Sequence, residues 1–298
     1  MEIGEKIKTL RNQRRMTQTA LAGDQITRNM LSLIENGSAL PSLSTILYLA
    51  ERLDIPAGLL LARDQEELMY RKSEEMARIK QAYAAGEYKL CLARCQELLS
   101  VGPDDEIRMI TAKCHLFLGR EAFDMGRFHE ACAELDKACE REKQNFYRDE
   151  SIPAMASVYF RYMARLSQTL CSDAGYENYE GTFLGADAFC KYAYVLWGLE
   201  KGDTAIAQHY LQIASPSEKE FSEHIRARLE MGEKKYHAAG LRLEQLIAGN
   251  DITCRGILYD VFGDREICCR ECGDYKGAYE YSVGKMNLLE RMLSDRNF

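Results

Sequence analysis

Three polar side chains, Arg28, Asn29 and Ser32, lie within a five-residue stretch and share one face if that stretch is helical. Arginine hydrogen-bonds O6 and N7 of guanine, asparagine hydrogen-bonds N6 and N7 of adenine, and an apolar side chain contacts the methyl group of thymine. Met30 and Leu33 lie at the edges of the same face. A merely solvated surface would have no use for these two apolar residues, so the combination favours contact with base edges in DNA.

Short helices must position these side chains, because apolar residues recur every three or four positions through the first 60 residues. The spacing of Ile3, Ile7 and Leu10 predicts the first helix. Thr17 and Thr27 precede the next two apolar patterns and suit the N-cap position, where a hydroxyl accepts a backbone N–H. The predicted helices cover about residues 2–14, 18–22, 28–35, 42–53 and 55–61.

The fourth predicted helix supplies much of the expected core. Five helices in 60 residues, with a tight turn between the second and third, indicate a helix-turn-helix domain. Once its core is assigned, little apolar surface is expected to remain on this domain. The residues of the fourth helix expected to face inward are Leu43, Ile46, Leu47, Ala50 and Leu53.

The same segment resembles the helix-turn-helix domain of phage repressors and Cro proteins, which is common in bacterial regulators. The turn between its second and third helices is one residue shorter than is usual in that family, which affects the angle of the third helix. The resemblance covers about a fifth of the chain. It rests on Ile7-x2-Leu10-Arg11, Met16-Thr17-Gln18-x2-Leu21-Ala22, Ile26-Thr27, Leu31-x2-Ile34-Glu35-Asn36-Gly37, Pro41-Ser42, Leu49-Ala50 and Leu53.

The resemblance implies a set of contacts with double-stranded DNA. In the family, early positions of the third helix contact bases and the start of the second helix contacts phosphates, so Gln18 and Asn36 are expected to touch the DNA backbone. Arg11 and Glu35 match the family's structural ion pair, which ties the first helix to the third. The residues expected to contact DNA are Thr17, Gln18, Thr27, Arg28, Asn29, Ser32, Leu33 and Asn36.

The charge distribution divides the chain in the same place. The net charge is −7, but residues 1–63 carry eight Lys or Arg against six Asp or Glu, so this segment is +2 and the remainder −9. A mildly basic segment on an acidic body is compatible with a small DNA-binding module attached to a different kind of domain. We therefore expect a DNA-binding domain over 1–63 and a second domain over 66–298.

A glycine motif recurs along the second domain. The glycine is often followed by an aromatic residue two positions later and then by a small residue three further on, as expected where a helix ends and the next packs closely against it. The pattern resembles tetratricopeptide repeats, so the expected fold is all-α, with an α-solenoid of five or six helix pairs and an irregular stretch over 142–182. The best copies begin at Gly86, Gly126 and Gly273, and weaker ones at Gly202 and Gly232.

Such a solenoid has a concave face suited to peptides and ends suited to self-association. A repressor-type domain followed by these repeats resembles bacterial regulators that sense short signalling peptides, which implies a regulator whose repeats dimerise and sense a peptide or another effector. The alternative is an interaction scaffold with a vestigial or protein-binding first domain. A dimer contact is expected on the terminal helix; its stripe could instead pack only on its neighbouring helix. The stripe comprises Val283, Met286, Leu289, Met292 and Leu293.

Eleven cysteines invite a metal or disulfide interpretation. The count is odd and no secretory signal precedes it, so a disulfide framework is not expected. Cys91 and Cys95, like Cys268 and Cys272, are four residues apart, which is same-face spacing on a helix. We therefore interpret them as packing thiols, in preference to zinc ligands or redox sensors.

Motifs for catalysis and membrane insertion are absent from the sequence. The five histidines are scattered, and no glycine-rich phosphate loop, His-Glu-x2-His or Gly-x-Ser-x-Gly motif occurs. No apolar run approaches the ~18 residues of a membrane span, and the N-terminus has no apolar signal region. The expectation is a cytoplasmic regulator that is not an enzyme, without cofactor or metal and without membrane contact.

Overall fold

The structure, a computed structural model, describes residues 2–62, 64–166, 187–249 and 252–294, with the backbone alone at 64–68. Every regular element in these ranges is helical, which confirms the all-α prediction. The chain divides into two compact units, residues 1–107 and 108–298. The first unit therefore contains five short helices together with the first pair of longer ones.

Three of the first five helices begin at a side-chain cap, and two of these caps are the threonines that the sequence predicts. The Thr17 and Thr27 hydroxyls each accept a backbone N–H at 3.1 Å, from Ala20 and Met30. Ser42 accepts the N–H of Thr45 at 3.2 Å. The second and third helices have the predicted bounds. The five are α1 (Ile3–Gln13), α2 (Gln18–Ala22), α3 (Arg28–Glu35), α4 (Leu43–Arg52) and α5 (Ala57–Leu61).

The core beneath α3 fixes its orientation. Leu31 and Ile34 are buried, and they pack with Ile7 of α1, Leu21 of α2 and Leu49 of α4. A glycine at position 4 is required, because a Cβ there would lie 2.0 Å from the carbonyl oxygen of the Ile34 backbone. α1 thus crosses the end of α3 in direct backbone contact, and α3 presents its opposite face to solvent.

The prediction that Leu43 and Leu47 face inward is wrong. Their side chains are 65% and 53% exposed, and Leu40, just before α4, is 89% exposed. Residues 46, 50 and 53 form the buried stripe, and positions 43 and 47 are rotated out of it around the helix axis. The first five helices therefore retain apolar surface, contrary to the expectation from sequence.

Eleven further helices follow in the part of the chain that the structure describes. Successive helices pack in pairs, as α6 does with α7 and α15 with α16. A 3₁₀ turn at Pro216–Glu218 precedes α13. They are α6 (Asp64–Ala84), α7 (Tyr88–Leu99), α8 (Asp105–Asp124), α9 (Phe128–Lys143), α10 (Ser151–Leu166), α11 (Ala188–Glu200), α12 (Thr204–Ile213), α13 (Lys219–Gly232), α14 (Tyr236–Ala248), α15 (Arg255–Glu271) and α16 (Tyr275–Ser294).

The glycine motif marks real helix ends. Four of its five glycines have φ between 76° and 84°, in the left-handed region. The fifth prediction, at Gly232, is wrong: Gly232 is the last residue of α13, and Lys234 takes the left-handed conformation with φ 61°. Counted from Lys234, Tyr236 and the fully buried Ala239 fall at the spacing of the other copies. The repeat is intact, with lysine in the glycine position.

The expectation of an irregular stretch over 142–182 is also wrong, because α10 occupies Ser151–Leu166. Pro153 is compatible with this helix since it lies in the first turn, where a missing N–H costs no intrahelical hydrogen bond. Residues 167–182 lie outside the described part of the chain.

Helices from both ends of the second unit meet. Phe123 of α8 packs in an aromatic cluster with Tyr159, Tyr162 and Phe189, at ring-centroid distances of 4.5–5.7 Å. The Tyr162 hydroxyl donates to Asp260 of α15. α9 contacts α16, where His129 Nε2 lies 3.2 Å from the carbonyl oxygen of Leu293. These contacts join helices from the beginning and the end of the second unit.

Two buried carboxylates in this unit form ion pairs between helices. Asp260 forms an ion pair with Arg165 of α10, and Asp264, one turn later, forms one with Arg228 of α13. His224 is fully buried, with Nε2 2.8 Å from Asp264 and Nδ1 2.7 Å from the Tyr192 hydroxyl. These polar contacts fix α10, α11, α13 and α15 relative to one another.

Most of the described cysteines are packing residues. Cys91, Cys95 and Cys268 are fully buried, whereas Cys272 is exposed. Within the described ranges, no group of three or more His, Cys, Asp or Glu residues could hold a metal ion. Among the described helices, none has the length and apolar character needed to span a bilayer.

Asp124 of α8 gives the second unit a pH-dependent stability. Burial raises the pKa of Asp124 to about 6, against the opposing effects of a hydrogen bond with Cys254 and the charge of Arg120. Because the folded state keeps a proton that the unfolded chain releases near pH 4, stability falls as the pH rises from about 4 to 6. We expect Asp124→Asn to raise the free energy of unfolding at pH 7.5 by about 1–3 kcal/mol and to flatten its pH dependence.

Urea unfolding followed by the fluorescence of Trp197, the only tryptophan, measures this effect. Glu121→Gln, an exposed position on the same helix, is the control. An Asp124→Asn variant no more stable than the wild type at pH 7.5 would contradict the account.

Candidate nucleic-acid interface

The outer face of α3 brings together the residues expected to contact bases. Arg28 and Asn29 are exposed and Ser32 is half-buried. Met30 and Leu33, at the edges of this face, are 47% and 48% exposed. The structure thus places guanidinium, amide, hydroxyl and apolar groups side by side on a helix whose other face is held by the core.

The remaining predicted contacts lie at helix ends. Thr17 and Thr27 are exposed, and each hydroxyl already accepts a backbone N–H as an N-cap. A capping hydroxyl keeps its own hydrogen as a donor, which can reach a phosphate oxygen. Asn36 is exposed and forms the C-cap of α3. These side chains flank the face formed by Arg28, Asn29 and Ser32.

Gln18 has a structural partner that the sequence did not indicate. Its Nε2 donates to Glu35 Oε2 at 2.9 Å, and the side chain is half-buried. The second Nε2 hydrogen could donate a hydrogen bond to a phosphate oxygen. Contact of Gln18 with the DNA backbone stays a prediction, and any change at this position also affects Glu35.

The predicted ion pair between Arg11 and Glu35 is confirmed. Arg11 Nε lies 2.6 Å from Glu35 Oε1 and Nη2 lies 3.0 Å from Oε2, while Nη1 donates to the Met16 carbonyl at 2.8 Å. The Glu35 side chain is only 1% exposed. Burial acts to raise the pKa of Glu35, but the hydrogen bonds from Arg11 and Gln18 outweigh it and hold that pKa below its ordinary value.

Several basic residues of this segment serve the fold. Lys6 is buried, and its Nζ donates to the Ala62 carbonyl at 2.6 Å. Arg14 and Arg52 donate to the carbonyls of Asp54 and Ala20 at 3.2 and 2.6 Å. The sequence alone shows Lys6 as a charged residue of α1 and does not indicate its burial. Its burial follows from the position of Ala62 after α5, a tertiary contact without a local sequence pattern.

The geometry of α2, the turn and α3 agrees with a comparison to known families. Residues 4–66 match the model of a family described as a helix-turn-helix domain. Residues 4–66 form a helix-turn-helix domain. Helix-turn-helix domains bind DNA by placing the second helix of the two-helix motif in the major groove, and in this chain that helix is α3. The chain is therefore a DNA-binding regulator.

Three solved structures illustrate what the whole chain is similar to. Bacillus thuringiensis PlcR in complex with the peptide PapR7 and DNA shares 16% identity over 98% of this chain and 99% of its own, with a TM-score of 0.24. ComR from S. thermophilus with DNA and its signalling peptide ComS shares 16%, over 96% and 99%, at 0.22. The Streptococcus dysgalactiae SHP pheromone receptor Rgg2 shares 13%, over 96% and 99%, at 0.20. Comparison with curated proteins gives no match.

Proposed function

We propose that this chain is a sequence-specific transcription regulator whose α3 reads base edges through Arg28, Asn29, Ser32 and Leu33. The supporting observation is the exposed face of α3, which carries donors, an acceptor and apolar groups while Leu31 and Ile34 anchor the helix from behind. Thr17, Gln18, Thr27 and Asn36 are assigned to the DNA backbone, as the helix-turn-helix geometry implies.

Arg28→Ala tests this assignment. Loss of a bidentate contact with guanine is expected to cost about 1–3 kcal/mol on the preferred site and to relax the preference at one base position. The preferred site is obtained by selecting random duplexes with the full chain. Fluorescence anisotropy then measures the affinity of the wild type and the variant for that site and for random DNA.

Asn36→Ala is the matched control, because phosphate contacts carry no base information and their loss weakens all duplexes alike. Gln18→Ala is expected to behave similarly, although it also removes a hydrogen bond to Glu35. An Arg28→Ala variant that loses equal affinity for selected and random DNA would overturn the assignment of Arg28 to base reading.

We also propose that the regulator is a homodimer held by α16. Tyr275, Tyr279 and Met286 of this helix are 73%, 72% and 59% exposed, and Val283 is 37% exposed. Their spacing of four, four and three residues places them on one helical face. A contiguous exposed apolar face of this kind is typical of a protein–protein contact.

The exposed face differs in part from the stripe predicted on this helix. Val283 and Met286 belong to both, but Met292 is buried and Leu289 and Leu293 pack against the core of the second unit. For these last three residues the alternative interpretation, packing within one copy, fits the structure. Tyr275 and Tyr279 extend the face towards the start of the helix.

The effector that we propose is a short peptide. A cleft of about 310 Å³ lies on the second unit, between α13, α15 and α16, and contains three basic and three acidic side chains. Five of these six side chains form ion pairs within the protein, so the cleft offers a peptide a polar wall whose charges are largely compensated. Panning phage-displayed peptides on the full-length protein tests this component. The charged residues of the cleft are Arg228, Arg270, Lys285, Asp260, Asp264 and Glu266.

A further inference from the structure

A patch of three leucines projects from the helix-turn-helix domain. Leu40, Leu43 and Leu47, here called the leucine patch, are 89%, 65% and 53% exposed. Leu43 and Leu47 are one helical turn apart on α4, and Leu40 lies in the loop between α3 and α4, three residues before α4 begins. The domain core does not use these side chains, so their exposure needs another explanation.

The stretch of sequence that contains the leucine patch lacks charge. The fifteen residues 36–50 contain no Asp, Glu, Lys or Arg, although such residues make up 29% of the chain. Depletion of charge is a property of interface centres rather than of free surfaces. In a two-fold symmetric contact each residue near the axis meets its own counterpart, so a charge there would repel itself. An uncharged patch avoids this repulsion.

The size of the domain fits such a contact on DNA. A 60-residue domain has a radius of gyration of about 10 Å, which corresponds to a sphere about 27 Å across. Half-sites one helical turn apart separate two domains by ~34–36 Å. The surfaces then lie about 8 Å apart, a gap that only side chains projecting from both copies can close.

We infer that the leucine patch contacts the same patch of a second copy when two helix-turn-helix domains occupy adjacent half-sites. This inference rests on the proposed sequence-specific DNA binding and adds an interface distinct from that on α16. Three leucines per copy fall short of the ~1,200 Å² that stable interfaces bury. The contact therefore forms on DNA, where it couples the two half-sites and fixes their spacing.

Leu47→Glu in the full-length protein tests the contact. Glutamates facing each other across the axis are expected to lower the affinity for a duplex with two half-sites at least about tenfold. The affinity for a duplex with one intact half-site should stay within about twofold of the wild type. The duplexes come from in vitro selection with the wild type, and the second is made by randomising one half-site.

Two further variants separate the contact from other causes of weak binding. Leu61→Glu changes a leucine of equal exposure, 53%, on α5 of the same domain, and should leave both affinities unchanged. Leu47→Lys should weaken binding to two half-sites as Leu47→Glu does. Co-expressed Leu47→Glu and Leu47→Lys chains, purified through two different tags, should regain at least half of the lost cooperativity.

Three results would overturn the inference. The first is a Leu47→Glu variant that keeps wild-type affinity for two half-sites. If such a variant loses transcriptional activity in a reconstituted assay, the patch contacts another protein instead. The second is an equal loss on one half-site, which would mean contact with DNA or a damaged domain. The third is the absence of rescue in the mixed dimer. A wild type that selects no DNA sequence would instead contradict the proposed function, and the inference with it.

Discussion

Arg11→Ala is expected to destabilise the helix-turn-helix domain by about 3–5 kcal/mol at neutral pH, because it leaves the buried carboxylate of Glu35 without its cation. The Glu35 side chain is 1% exposed and receives two hydrogen bonds from Arg11. The remaining hydrogen bond, from Gln18, does not neutralise the charge. Loss of the Arg11 bond to the Met16 carbonyl adds to the effect.

The pH dependence of this loss identifies its cause. In the wild type the pKa of Glu35 is lower in the folded than in the unfolded protein. The ion pair therefore stabilises the domain fully above the unfolded-state pKa, near pH 4, and this stabilisation is lost as the pH falls through the folded-state pKa. Without Arg11, burial dominates and raises that pKa. The variant should therefore recover stability as the pH falls from 7 to 5, while the wild type does not.

Amide hydrogen exchange of the full-length protein, followed in peptides from residues 2–62, measures the stability of the domain. Arg11→Ala combined with Glu35→Gln is the informative control, because it removes the buried charge and should be more stable than Arg11→Ala alone. Unchanged exchange in the single variant, or an equal loss at pH 5 and 7, would show that the ion pair does not support the domain.

The first five helices could be predicted closely because local physics determines them. Thr17, Thr27 and Ser42 each satisfy a backbone N–H within three residues, so the caps are visible in the sequence. The glycine motif is equally local, since a left-handed residue must end each helix before the next begins. Lys234 escaped detection because its position in the repeat, rather than its residue type, sets its conformation.

The burial of several side chains could not be predicted, because it depends on which side of a helix the neighbouring helices cover. The spacing of Leu43 and Leu47 is as compatible with a core as that of Ile46 and Ala50, and only the tertiary arrangement exposes the first two. The same holds for Lys6, because its hydrogen bond to the Ala62 carbonyl joins residues 56 positions apart and has no local sequence pattern. For the DNA interface, the sequence identified the outer face of α3 and missed the bond of Gln18 to Glu35.

The full-length protein is expected to be a dimer at micromolar concentration, and Tyr279→Glu with Met286→Glu should convert it to a monomer. Both side chains lie on the exposed apolar face of α16, at 72% and 59% exposure. Carboxylates in the centre of an apolar contact would lose their hydration without gaining partners. Because these residues point away from the core, the second unit should keep its fold and the fluorescence of Trp197 should be unchanged.

The monomeric variant with Tyr279→Glu and Met286→Glu is expected to lose more DNA affinity than any other variant changed outside α3. One recognition helix contacts only a few base pairs, and a linked pair makes the second binding event intramolecular, which raises affinity by ~10²–10⁴. The monomeric variant should lose this factor on two half-sites and keep its affinity for one. Sedimentation velocity and anisotropy measure the two outcomes, with Phe146→Glu, an 81% exposed aromatic elsewhere on the second unit, as the control. A wild type that sediments as a monomer and binds a single half-site tightly would refute this architecture, because no second helix-turn-helix domain would then be needed for affinity.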